Sequence, residues 1–399
     1  MLRDFSSIAV SNLFLNLITF LLMLTFAKTM SVVDFTTLSV ALSVSLFGAV
    51  FFDFGLNVAT VREYGIKKRN ETLFAMLNLK WLIFVFNCII IGLLYIFLPS
   101  INASFEALML GLLGGGLLNL WMGYRVVEQC KLNFSSYAYS NMAFAIARAI
   151  SGSICILLGL SGAESYLVTF LFGGVIFLAP RLLNFRFKFG FSWGDLALNK
   201  RVGGYAIFAY ISALTYSLSL YVPQYFVYAR LDNESAAAYG LVMSFLGIVS
   251  LLATSFRAVV LPNIFSDENK YTINYFKSSL LKWCAPYLMI MIMIIYFGGC
   301  AIDFFYAEQM PTAGSIFRVC SFGLLVTVYI GFFNIFVHKI GRPEIEMKSN
   351  IFRAFLMIFV LGLYGYNLYD ISLQFCIIMI MSEFITAIYV SRAAEAKLC

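Results

Sequence analysis

Apolar segments of about twenty residues or more recur along the whole 399-residue chain, and they limit the fold more than any other feature of the sequence. Each segment is long enough to cross a hydrocarbon layer of about 30 Å at about 1.5 Å per helical residue. Hydrophobic residues make up 62% of the chain and charged residues only 12%, so the core of a water-soluble protein could not hold the apolar excess. The sequence therefore predicts an all-α, multi-pass membrane protein.

Charged and turn-forming clusters divide the chain into about twelve predicted transmembrane helices. The longest connection between them, residues 184–202, is predicted to be a cytoplasmic linker between two six-helix lobes, residues 1–183 and 203–399. Because six is an even number, both lobes would begin on the same side of the membrane, as parallel repeats do. The predicted spans are 7–27, 35–61, 73–98, 105–127, 135–158, 163–183, 203–228, 235–262, 281–305, 312–337, 349–368 and 371–391.

The charges are distributed unequally between the two sides of this plan. Most of the 27 Lys and Arg residues fall on the side that holds the N-terminus, whereas Glu106, Glu164 and Asp303 fall on the other side. The positive-inside rule then predicts that both termini are cytoplasmic. The net charge of +7 is spread over short loops, which excludes nucleic acid as an expected partner.

The sequence offers little for enzyme chemistry. His338 is the only histidine, and the eight cysteines never form a close pair, so no metal site, cofactor or catalytic group is predicted. The chain also lacks a GxxxxGK[ST] nucleotide-binding motif, which indicates that it does not use ATP by itself. These features favour a transporter over an enzyme.

Several cations fall inside the predicted spans, where a charge costs about 2.5–3.5 kcal/mol and needs a partner, a cavity or a route to the interface. Arg148, in the middle of the fifth span, is the clearest case. Lys80 and Arg257 lie near enough to span ends that they either line a cavity or extend to the headgroups. Arg318 in the tenth span and Lys28 at the outer end of the first complete the set of candidate substrate contacts.

Two acids are candidates for coupling to an ion. Asp53 lies four residues before Asn57 in the second predicted span, and Glu383 lies one turn before Thr386 in the twelfth. Asp53 either binds an ion or pairs with Arg62 or another basic neighbour. The coupling ion would be a proton or sodium.

Two stretches of the chain carry short motifs: Asp53-Phe54-Gly55-Leu56-Asn57 with Arg62-Glu63, and Ala238-Tyr239-Gly240-Leu241-Val242 with Ser255-Phe256-Arg257 and Leu261-Pro262. These stretches resemble the Wzx-type O-antigen and polysaccharide flippases, which belong to the multidrug/oligosaccharidyl-lipid/polysaccharide transporter superfamily. That superfamily includes MATE exporters and MurJ-like lipid flippases, so the resemblance implies a MATE/MurJ-like fold of two six-helix lobes.

The resemblance also implies a function in lipopolysaccharide or other polysaccharide biosynthesis at the bacterial inner membrane. The expected substrate is an undecaprenyl-pyrophosphate-linked oligosaccharide, which the protein would move from the cytoplasmic to the periplasmic leaflet by alternating access. The cations named above would line a hydrated cavity for the pyrophosphate. Expected partners are the lipid-linked substrate, membrane lipids, and a polysaccharide polymerase or other assembly proteins.

Two alternatives remain open at the level of sequence. One is a different twelve-helix secondary transporter, such as a drug exporter of the same superfamily, in which buried acids rather than buried cations are expected. The other is a membrane enzyme of polysaccharide assembly, such as a polymerase or ligase, for which a large outer loop is expected. In this chain the longest connection lies on the predicted inner side.

Overall fold

A computed structural model describes residues 2–97, 103–172, 200–246, 273–306, 310–331 and 342–395, and the single residues 249, 255, 308 and 337. These residues are helical throughout, apart from short turns and bends, which confirms the predicted all-α class. The helices are α1 (Leu2–Thr29), α2 (Val32–Phe51), α3 (Leu56–Lys67), α4 (Asn70–Phe97), α5 (Ala103–Cys130), α6 (Phe134–Leu158), α7 (Gly162–Tyr166), α8 (Lys200–Arg230), α9 (residues 233–246), α10 (Ile273–Tyr306), α11 (Ala313–Gly331), α12 (Glu344–Tyr364) and α13 (Leu368–Glu395).

Nine helices in the described part of the chain are long and apolar enough to cross a membrane. They lie within α1, α2, α4, α5, α6, α8, α11, α12 and α13. Each of the other three predicted spans is helical where the structure describes it, over residues 163–172, 235–246 and 281–305. Exposed apolar side chains at helical spacing on α4, such as Leu82, Phe86 and Ile89, give that helix a face suited to lipid.

The second predicted span is wrong as a single continuous helix. α2 ends at Phe51 and α3 begins at Leu56, because Phe54 and Gly55 adopt positive φ angles of 49° and 74°. Gly55 also packs so closely against α8 that an added Cβ would lie 2.3 Å from the carbonyl oxygen of Ala206. The Asp53-Phe54-Gly55 segment therefore forms a break directly after the apolar helix α2, where a helical pattern in the sequence predicted continuity.

The sixth predicted span begins with an unusual pair of helical turns. Ser161 and Glu164 form a reciprocal capping box at the start of α7, and residues Leu167–Phe172 then continue as a π-helix. The rings of Tyr166 and Phe170 form a stacked pair across this junction, with centroids 5.5 Å apart.

The chain forms two compact units, Met1–Tyr210 and Ile211–Cys399, so the division falls inside α8. In the first unit, α2 packs against α5 and α1 packs against α6. Small residues permit the α2–α5 contact, since a Cβ on Gly115 would lie 2.8 Å from the Cα of Gly48. In the second unit, α11 packs against α10 and α13, and α12 packs against α13. The linker predicted over residues 184–202 lies almost entirely outside the described residues.

Candidate functional site: buried charges in the two units

Four charged residues are buried in the described part of the chain: Lys80, Arg148, Arg353 and Glu383. Lys80 and Arg148 belong to the first unit, and Arg353 and Glu383 belong to the second. A buried charge is costly unless it is paired, so the partners of these four side chains indicate what each one does.

Lys80 stabilises the helix break. Its Nζ donates to the Asp53 carboxylate at 2.7 Å and to the backbone oxygen of Asn119 at 3.2 Å, and it also contacts the side-chain oxygen of Asn119. The Lys80 side chain is completely buried and that of Asp53 is 14% exposed. Asp53 thus pairs with a basic side chain, which was one of the two alternatives from the sequence, but its partner is Lys80. Arg62 instead lies over the Tyr205 ring at 4.2 Å.

The backbone groups released by the break also find partners. The side-chain amide of Asn119 donates to the carbonyl oxygen of Phe52 at 3.0 Å. The hydroxyl of Tyr210 donates to the carbonyl oxygen of Phe51, also at 3.0 Å. Unpaired backbone groups are tolerated at membrane depth only where protein or water satisfies them. Side chains from α5 and α8 therefore make this interrupted helix possible.

We expect Lys80→Met to lower the free energy of unfolding by about 3 kcal/mol, because the Asp53 carboxylate would stay in the protein interior without its counter-charge. The double variant Lys80→Met/Asp53→Asn should recover most of this loss. Thermal unfolding of the purified variants in detergent measures both the loss of stability and its recovery. Lys131→Met, at an exposed position between α5 and α6, is the matched control. Equal stability of the single variant and wild type would contradict the assigned pairing.

Arg148 is buried without a carboxylate partner in the described part of the chain. The residue is 6% exposed, and its guanidinium lies between the rings of Phe144 at 4.2 Å and Phe170 at 4.6 Å. The Nε atom of Arg148 is buried and makes no hydrogen bond. Two ring faces attract a cation, but they supply no acceptor for its N–H groups. Arg148 is therefore a preorganised positive group with unused donors.

The surroundings of Arg148 are fixed by α2, α5 and the π-helical segment. The hydroxyl of Tyr166 contacts Ser45 Oγ, and a Cβ on Gly114 would overlap that hydroxyl at 1.8 Å. Tyr166 stacks on Phe170, and Phe144 stacks on Trp121 at 4.5 Å. Both rings that flank Arg148 are thus held in place by further aromatic contacts.

Glu383 pairs with Arg353 in the second unit. The guanidinium of Arg353 contacts the Glu383 carboxylate and donates from Nε to the Ser382 hydroxyl at 2.5 Å. Both side chains are almost completely buried, at 1% and 3% exposed. On α12, Asn350 lies one turn before Arg353 and donates to the Ser212 hydroxyl of α8 at 2.9 Å. α8, α12 and α13 therefore share one buried polar cluster.

Arg353 was not among the candidates predicted from the sequence, because it lies only four residues into the predicted span 349–368 and so near its end. Its predicted span began at 349, whereas α12 begins at Glu344, which puts Arg353 in the middle of the helix. Pro343 and the acidic first turn that follows it were the available start signal.

The remaining candidate cations differ from Arg148. Arg318 pairs with Asp303 at 2.7 Å, and these side chains are 33% and 40% exposed. Lys28 is exposed in the last turn of α1. Arg257 lies outside the described residues. Trp121 is 4% exposed and is buried within the first unit.

Solved structures share the fold of this chain. An outward-facing MATE-family multidrug resistance transporter matches it with a TM-score of 0.68 at 12% identity, covering 99% of this chain and 96% of the other. A Vibrio cholerae MATE transporter matches with a TM-score of 0.63 at 14% identity, covering 99% and 98%. A transporter of the same superfamily from Pyrococcus furiosus matches with a TM-score of 0.63 at 10% identity, covering 99% and 96%. The predicted MATE-like fold is therefore confirmed.

The sequence also matches a protein family. A family model described as "Polysaccharide biosynthesis protein" matches residues 1–267, which is more than half of the chain. No curated protein matches the sequence. The family match covers the helix break and the whole surroundings of Arg148.

Proposed function

Because the chain belongs to the polysaccharide biosynthesis protein family, we propose that it is a flippase for an undecaprenyl-pyrophosphate-linked oligosaccharide such as an O-antigen repeat unit. The MATE-like fold and the nine described helices long enough to cross a membrane support a role as a multi-pass membrane transporter. In the proposed reaction, the pyrophosphate and its sugars pass through the protein while the lipid tail stays in the bilayer. The direction is from the cytoplasmic to the periplasmic leaflet of a bacterial inner membrane, with both termini cytoplasmic.

The observation that carries this proposal is the unpaired guanidinium of Arg148. Phosphate oxygens are acceptors, and a planar guanidinium binds them with two parallel charge-assisted hydrogen bonds. A pyrophosphate would supply the counter-charge and the acceptors that Arg148 lacks among the described residues. The flanking rings of Phe144 and Phe170 would limit access of water and so strengthen the contact.

The same charges argue against an exporter of cationic drugs. Asp53 and Glu383 both have basic partners, so neither is a free negative charge that would attract an organic cation. The Pyrococcus furiosus transporter is described as having a binding pocket of reverse polarity, which suggests a different function for that protein. A change of pocket polarity within this fold is consistent with an anionic substrate here.

Coupling to a proton or sodium ion would act on the paired acids. An ion that binds Asp53 competes with Lys80, and an ion that binds Glu383 competes with Arg353. Either event would weaken a contact between helices and thereby favour one state of an alternating-access cycle. In this proposal Lys80, Arg257, Arg318 and Lys28 contact the headgroup at other stages of its passage. A polysaccharide polymerase or another assembly protein is the proposed partner that receives the product.

The proposal is tested with purified protein in liposomes that contain a polyprenyl-pyrophosphate oligosaccharide. A glycosidase added outside measures how much of the sugar has reached the outer leaflet. We expect protein-dependent transfer of the sugar to the outside, and no transport of a cationic fluorescent drug under an imposed proton or sodium gradient.

Two other results would overturn the proposed function. Transport of the cationic drug without movement of the lipid-linked sugar would identify an exporter. Formation of longer saccharides by the purified protein would identify a polymerase.

A further inference from the structure

A column of aromatic rings and guanidinium groups runs through the first unit. Arg125 lies over the ring of Tyr137 at 4.4 Å and over that of Trp121 at 4.6 Å. The Trp121 ring stacks on Phe144 at 4.5 Å, and Phe144 lies under Arg148 at 4.2 Å. Each contact is within the range in which a ring attracts a cation or another ring. We call this series, from Tyr137 through Arg148 to Phe170, the ring–guanidinium column.

The two arginines of the column lie at different depths. α5 ends at Cys130 and α6 begins at Phe134, so these two helix ends lie at the same end of the bundle. At about 1.5 Å per residue, Arg125 lies about 8 Å from this end and Arg148 about 21 Å. The rings of Trp121 and Phe144 separate the two guanidinium groups, so one phosphate group cannot contact both at once.

Three buried polar atoms on neighbouring side chains of this column have no hydrogen-bond partner. The Nε atoms of Arg125 and Arg148 and the indole Nε1 of Trp121 are buried donors without a hydrogen-bond partner. Trp121 is 4% exposed and Arg148 is 6% exposed, so water at the protein surface does not satisfy these donors. Buried polar groups are nearly always paired, which makes three unpaired donors on neighbouring side chains an indication of a ligand rich in acceptors.

Arg125, like Arg148, lacks a carboxylate partner among the described residues. Its Nη2 atom contacts the hydroxyl of Tyr137 and lies 3.5 Å from the side-chain oxygen of Asn12. Asn141 donates to the same Asn12 oxygen at 2.7 Å. These neutral partners orient the guanidinium and leave its positive charge uncompensated.

We infer that Arg125 and Trp121 form a second anion-binding station, distinct from Arg148, through which a phosphate-bearing headgroup passes on its way to or from the deeper site. The inference rests on the proposed function and adds to it an order of contacts. Arg125 binds the anion near the end of the bundle, and Arg148 binds it near the middle of the membrane. The ligand class is a polyphosphate monoester or diester, whose oxygens accept from guanidinium and indole N–H groups.

Trp121 gives this station a direct optical signal. In a Trp81→Phe/Trp193→Phe/Trp283→Phe background, Trp121 is the only tryptophan, and its ring lies between Arg125 and Phe144. The protein in nanodiscs is titrated with inorganic pyrophosphate, and separately prepared with polyprenyl pyrophosphate in the lipid. Sodium chloride at equal ionic strength controls for screening. Calorimetric titration of protein with all four tryptophans repeats the measurement without the background substitutions.

We expect saturable changes of Trp121 fluorescence with both pyrophosphate probes and none with chloride. Arg125→Gln should weaken the fluorescence-detected affinity by at least about tenfold, the loss expected for one charge-assisted contact. Arg148→Gln should retain a binding site that is detected by Trp121 fluorescence. The double variant Arg125→Gln/Arg148→Gln should lose that site. Arg69→Gln, at an exposed position between α3 and α4, should bind as the wild type does.

Unchanged affinity in Arg125→Gln would overturn the second station, and so would loss of all binding in Arg148→Gln alone. A response to inorganic pyrophosphate without one to the lipid would show that the site does not take the headgroup. Each of these results leaves the liposome assay free to succeed, so failure of the second station is distinguishable from failure of the proposed function.

Discussion

Arg148→Gln is expected to abolish movement of the lipid-linked oligosaccharide in liposomes, with a rate at least about 100-fold below that of the wild type. Glutamine removes the positive charge and the paired donors that would bind the pyrophosphate, while its length still fills part of the space between Phe144 and Phe170. Arg148→Lys keeps the charge but loses the planar group that stacks between the rings. We therefore expect it to retain a small, measurable rate.

The stability of the Arg148→Gln variant separates a functional role from a structural one. Arg148 has no carboxylate partner within the described ranges, so the substitution leaves no acid unpaired. Its thermal midpoint should lie within a few degrees of the wild-type value. The exposed Arg69→Gln variant is the matched control and should transport normally. Normal transport by Arg148→Gln would remove this residue from the proposed site.

Arg353→Met is expected to lower the free energy of unfolding by about 3–5 kcal/mol, the cost of leaving a buried carboxylate without its counter-charge. Arg353 and Glu383 are almost completely buried, so water cannot replace the lost partner. The substitution also removes the hydrogen bond to the Ser382 hydroxyl. Unfolding of the purified protein by heat or by a denaturing detergent measures the change.

The double variant Arg353→Met/Glu383→Gln tests the cause of this loss. It removes both charges while roughly preserving side-chain volume, and we expect it to recover most of the lost stability. Arg392→Met changes an exposed arginine of α13 and should alter the midpoint little. A double variant as unstable as the single one would mean that packing around Arg353, rather than the ion pair, is responsible.

The helical class follows from the sequence because a bilayer requires long apolar helices. The break at Asp53-Phe54-Gly55 was not predicted, since a glycine within an apolar helical pattern is usually tolerated. What makes the break stable are partners distant in the chain, Asn119 and Tyr210, which satisfy the released carbonyl groups. The residues around the break do not by themselves indicate these long-range contacts.

The candidate site was only partly predictable from the sequence. Arg148 lies far from both ends of its helix, so its burial follows from position alone. The pairing of Asp53 with Lys80 joins α4 to the break, and the pairing of Glu383 with Arg353 joins α13 to α12. An error of five residues at the start of α12 was enough to assign Arg353 to the membrane surface. Charge pairs between helices depend on tertiary packing that periodicity does not specify.

The π-helical turn at Leu167–Phe172 sets the direction in which the Phe170 side chain leaves the backbone, because a π-helix has more residues per turn than an α-helix. A change of helical winding in this segment would therefore move the Phe170 ring relative to Arg148 and leave every charged residue in place. The shielding of this cation depends on backbone winding as well as on the identity of the side chains around it.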